Sequence, residues 1–138
     1  YLKRKSGCDI YPPETNMLIQ FVMVGLGGAL GSMLRYLISL IPVNNTFPFL
    51  TLITNLLGAL LIGFIVGLSD NLFISKKFLL FLKTGVCGGF TTFSTFSLEA
   101  VQLFQCGEHF LGTIYAILSV ILCLLGIILG EYLGRLAV

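Results

Sequence analysis

Charge is what this chain has least of. Across 138 residues, Asp, Glu, Lys and Arg together make up 10%, where a soluble globular domain carries about 25%. Histidine occurs once, at His109, and the four cysteines (Cys8, Cys87, Cys106, Cys123) form no CxxC pair. A metal centre built on Cys and His is therefore excluded as a working expectation, and so is a disulfide framework. No Asp or Glu stands in the middle of an apolar stretch. A carrier that relays protons or cations through a buried carboxylate lacks its central part.

What is present in abundance is apolar sequence: 57% of residues, with a mean hydropathy of +1.01. Four apolar blocks, at 17–41, 49–68, 78–101 and 110–136, are each long enough for a hydrocarbon core of roughly 30 Å, which needs about 20 helical residues. Pro42 and Pro48 bracket the first connection, Ser69-Asp70-Asn71 marks the second, and residues 105–109 mark the third. The fold class expected is an all-α membrane protein with four transmembrane helices, multi-pass in the cell membrane. Four helices occupy most of residues 17–138, which leaves no room for a soluble catalytic domain. No enzymatic activity, no catalytic residues and no nucleic-acid partner are expected. Residues 1–16 read as a disordered tail or an upstream extension. Lys3, Arg4 and Lys5 fall short of the cluster of about 4 to 8 basic residues that docks on anionic lipid. A cleaved signal peptide is not expected, because no short apolar core ends in a cleavage site before Arg35.

Within the third block, residues 85–99 break the pattern. Gly88 and Gly89 precede five hydroxyl residues, Thr91, Thr92, Ser94, Thr95 and Ser97, with Phe90, Phe93 and Phe96 among them. This composition predicts a helix broken near residues 88–92. Carbonyls freed inside a bilayer must be buried in protein or line a cavity. Other neutral hydrogen-bonding groups lie at helical spacing: Thr51 and Asn55 on the second block, Tyr115 and Ser119 on the fourth. Each alone reads as interhelical glue, and the repeats Gly27/Gly31, Gly63/Gly67 and Gly126/Gly130/Gly134 read as close backbone packing. Together with the break and the regularly spaced phenylalanines, the donors suggest an anion pathway. Neutral donors attract an anion weakly enough to let it leave, and the rim of a phenyl ring is its positive part.

Three segments, residues 27–36 (GGALGSMLRY), 51–59 (TLITNLLGA) and 88–99 (GGFTTFSTFSLE), resemble the Fluc (CrcB) fluoride channels. The likeness runs from about Met17 to the C-terminus, and its third motif is highly specific. It implies an antiparallel dimer of four-helix chains, two fluoride pores and a structural sodium ion (Na+) at the dimer centre. Phe93 and Phe96 match the pore phenylalanines and Asn55 the pore asparagine, with Thr51 one turn earlier. Ser94 and Thr95 lie between the rings, Tyr115 and Ser119 match the polar track of the fourth helix, and Arg35 matches a vestibule arginine. The sodium would be held by backbone carbonyls of Gly88 and Thr91 from both chains. Leu50 departs from the glycine often found before the second motif.

With four crossings, both termini and the second connection share one side. That side holds Lys76, Lys77, Lys83 and Arg135, against Arg35 on the other, so the positive-inside rule places both termini in the cytoplasm. The partner expected is either a second copy or an oppositely oriented paralogue, with fluoride and membrane lipid. The competing readings are a small four-helix multidrug/proton exchanger, which would need a carboxylate that the first block lacks, and a non-transporting membrane scaffold.

Overall fold

The computed structural model describes residues 17–70, 72 and 74–137; the tail expected at 1–16 lies outside them. All the regular structure among the described residues is helical. Helix α1 spans Met17–Ser39, α2 Phe49–Ser69 and α6 His109–Leu136. These three are long and apolar enough to cross a membrane. The crossing between α2 and α6 is made of pieces: α3 (Lys76–Leu80), a π-helical segment (Phe81–Cys87), α4 (Gly88–Phe90) and α5 (Phe93–Gln105). All four predicted blocks are thus helical, the third in pieces, with ends shifted by at most a few residues. The π turns were not foreshadowed by any pattern in the sequence. Ser75 starts α3 by accepting the Phe78 amide at 3.3 Å.

Helices that follow one another in sequence are not the ones that pack most closely. α1 lies along the first half of the third crossing, and α2 lies along α6. Both pairs run parallel. Gly27 faces Phe81 and Gly85 while Gly31 faces Val86 and Phe90; Gly63 faces Ile127 while Gly67 faces Glu131. At each of these glycines a Cβ would run into the backbone of the neighbouring helix. Without a hydrophobic drive between helices in lipid, such close approach is how dispersion holds them together. Arg135 ties the same ends of α2 and α6, bonding Asp70 at 3.1 Å and Glu131 on its own helix.

The break lets one crossing serve two neighbours. Its first half packs on α1, while α5 packs against α6 through a core of Leu52, Ala100, Leu103 and Tyr115. The chain changes partner at Thr91 and Thr92, and there the site is built.

Candidate functional site

The break sits where it was expected, but the glycines do not make it. Gly88 is helical (φ −63°, ψ −37°), a conformation open to any residue. Thr91 (φ −79°, ψ 155°) and Thr92 (φ −148°, ψ 110°) are the extended residues. Asn55 of α2 holds them open: its Oδ1 accepts the Thr92 amide at 2.7 Å and its Nδ2 donates to the Thr92 carbonyl at 3.1 Å. A side-chain amide here pairs with a peptide group as a neighbouring strand would. Thr92 then starts α5, its Oγ1 accepting from the Thr95 amide at 3.2 Å and donating to the Thr95 hydroxyl at 2.9 Å. These diversions free carbonyls. In a continuous helix Gly88 O would receive the Thr92 amide and Thr91 O the Thr95 amide; both amides are committed elsewhere.

Beside the break, α2 and α6 enclose a groove of about 420 Å³. Asn55, Gly88, Thr91, Phe93, Phe96 and Ser119 line it, so six of the predicted site residues meet at one cavity. Between them the lining is apolar, with Gly58, Ile62, Val120 and Leu124. Phe93 is 78% exposed, its ring centroid 5.5 Å from that of Phe96 at 49°. Ser119 is 5% exposed and its Oγ has no hydrogen-bond partner, which is costly for a buried hydroxyl.

The other predicted residues lie outside the groove lining. Tyr115 is fully buried and its hydroxyl donates to Glu99 Oε2 at 2.7 Å. Thr51 donates to Glu99 Oε1 at 2.8 Å. Glu99 therefore joins α2, α5 and α6, and the Phe96 ring lies tilted at 54° to that of Tyr115, centroids 5.2 Å apart. Spacing and charge placement did not single out this carboxylate. Its only signal was that it closes the motif at 88–99, because the two donors it gathers come from distant crossings. Ser94 bonds the Thr92 hydroxyl at 3.3 Å and, like Thr95, belongs to the cap of α5. Arg35, expected near a vestibule, turns to the break and donates from Nε to Gly89 O at 3.3 Å. Cys87, Cys106 and Cys123 are free thiols.

Chemically, the site offers neutral donors, phenyl rims and uncommitted carbonyls around an apolar groove. That suits passage of a small ion. The pattern of the family described as CrcB-like protein, camphor resistance (CrcB), matches residues 22–131. A protein of Ruminiclostridium cellulolyticum is 49% identical over 122 residues, covering 86% of this chain and 94% of its own length. One from Clostridium novyi is 46% identical over 123 residues, covering 86% and 96%; one from Bacteroides fragilis is 38% identical over 122 residues, covering 84% and 96%. Each of the three is named fluoride-specific ion channel FluC. Matched along nearly all of its membrane crossings, the chain belongs to the CrcB-like family.

Proposed function

We propose that the chain is a fluoride-selective channel, passive in mechanism, through which fluoride leaves the cytoplasm. Its relatives' name supplies the ion. The observation in the structure that carries the reading is the convergence of an unpartnered Ser119 hydroxyl with Phe93, Phe96 and Asn55 on one groove. Fluoride is small and strongly hydrated, so a path must replace its water with many donors while binding weakly at each. Asn55 keeps one Nδ2 hydrogen beyond the one it gives Thr92, and Ser119 keeps its hydroxyl proton. The phenyl rims add a positive edge that carries no full charge.

One chain is half of this site in our reading. Phe93 is open to the surroundings, and an added Cβ at Gly88 would meet no atom within 4 Å. An antiparallel second chain, a copy or a paralogue, would cover that side and complete two pores. The carbonyls of Gly88 and Thr91 fit a structural sodium ion: they are hard, neutral oxygens relieved of their helical donors. Two per chain make a set of four across a two-fold axis. The ion would supply fixed positive charge at the centre of the dimer.

The test is fluoride efflux from liposomes that contain only this purified chain. Efflux of fluoride with chloride retained is expected. No efflux from the chain alone, with efflux restored by an oppositely oriented paralogue, would identify a heterodimer; no efflux in either case would sink the channel reading.

A further inference from the structure

Gly27, Gly31 and Arg35 stand four apart on α1 and so share one face. The two glycines bring α1 into backbone contact with the third crossing, at Phe81 and Gly85 and then at Val86 and Phe90. One turn further, the same face presents a guanidinium. Arg35 Nε reaches Gly89 O across 54 residues of sequence, in a partly buried setting. Gly89 lies in the last helical turn before the break, where carbonyls lose their helical donors and the helix end carries partial negative charge. A cation held there satisfies one orphan carbonyl and opposes that charge.

We propose that Arg35 is a positioning residue for the conduction site, capping the broken crossing from α1 and so fixing the direction of the carbonyls around it. With Gly89 O held by Arg35 and Thr92 held by Asn55, the chain between them, Phe90 and Thr91, is anchored at both ends. The carbonyls of Gly88 and Thr91 and the first ring, Phe93, flank these two anchors. The guanidinium suits the task because its donors are fixed in a rigid plane, whereas a lysine ammonium rotates on a flexible stem. The functional meaning of this anchor rests on the channel reading above; the anchor itself does not.

Cys87 reports on it directly. Its side chain is 1% exposed, and its carbonyl accepts both the amide and the hydroxyl of Thr91, each at 3.0 Å. The experiment treats the full chain, monodisperse in detergent, with N-ethylmaleimide and follows each cysteine by peptide mass spectrometry, alongside fluoride efflux in liposomes. Exposed Cys106 is the internal standard. In Arg35→Gln, Cys87 should react at least about tenfold faster relative to Cys106, with Arg35→Lys in between and efflux falling in the same order. Equal protection of Cys87 in all three proteins would overturn the proposal, including the case in which efflux falls, since Arg35 would then act through its charge alone. If Arg35→Gln does not stay monodisperse, Arg35→Lys carries the same two outcomes. An unmutated chain that conducts no fluoride would remove the channel reading while the labelling result still decides the anchor.

Discussion

At the scale of single residues, the side chains at this site divide between those that build it and those that line the groove. Asn55 and Glu99 build: one holds the break open, the other gathers Thr51 and Tyr115. Phe93 and Phe96 are free of such ties and line the groove. Replacing either with Ile removes the ring quadrupole and keeps an apolar side chain. For exposed Phe93 the swap should leave the fold intact, because apolar replacements of similar volume usually cost under about 1.5 kcal/mol. If the rim contributes on the order of 1 kcal/mol, fluoride passage should fall roughly 5-fold. Efflux of Phe93→Ile and Phe96→Ile, measured beside their elution as assembled protein, checks this. Unchanged efflux in both would make the rings packing residues.

Among elements, the third crossing carries two adjacent glycines with opposite surroundings. An added Cβ at Gly89 would strike the backbone of Gly28 on α1, with Gly28 Cα 3.0 Å away, whereas one at Gly88 would meet open space. Gly89→Ala should therefore lower the melting temperature of the isolated chain in detergent, in line with the roughly 1–3 kcal/mol that overpacking costs. Gly88→Val should leave that melt nearly unchanged, yet stop fluoride efflux if a second chain covers Gly88. Full efflux from a stable Gly88→Val protein would show that no partner or cation sits there. Conformational freedom does not explain Gly88, since its backbone is helical; the open space beside it does.

For the whole molecule, charge is more lopsided than the sequence suggested. Arg35, which stood alone against four basic residues, is turned into the break rather than out to a connection. Neither connection on its side, residues 40–48 or 106–108, holds a Lys or Arg. A single orientation with Lys76 and Lys77 in the cytoplasm is the expected result. In intact cells an impermeant maleimide should modify exposed Cys106 and spare a cysteine introduced by Leu72→Cys. Labelling of both to similar extents would mean that the chain inserts both ways.

Much of this was legible without coordinates, for a physical reason. A bilayer obliges backbone groups to bond within their own helix, so four long apolar blocks determine four crossings. The same rule makes any interruption conspicuous, which is why residues 88–96 stood out and why Asn55, Phe93, Phe96 and Ser119 do converge on one groove. The partners were a different matter. Which helix lies along which depends on glycine contacts such as Gly63 with Ile127, between residues far apart in sequence. Glu99 looked like the tail of a motif until Thr51 and Tyr115 came to it from two other crossings. Arg35 looked like a loop-side cation until Gly27 and Gly31 set its helix against the break. Periodicity reports on one helix at a time; who shares a hydrogen bond across helices is decided only when they pack.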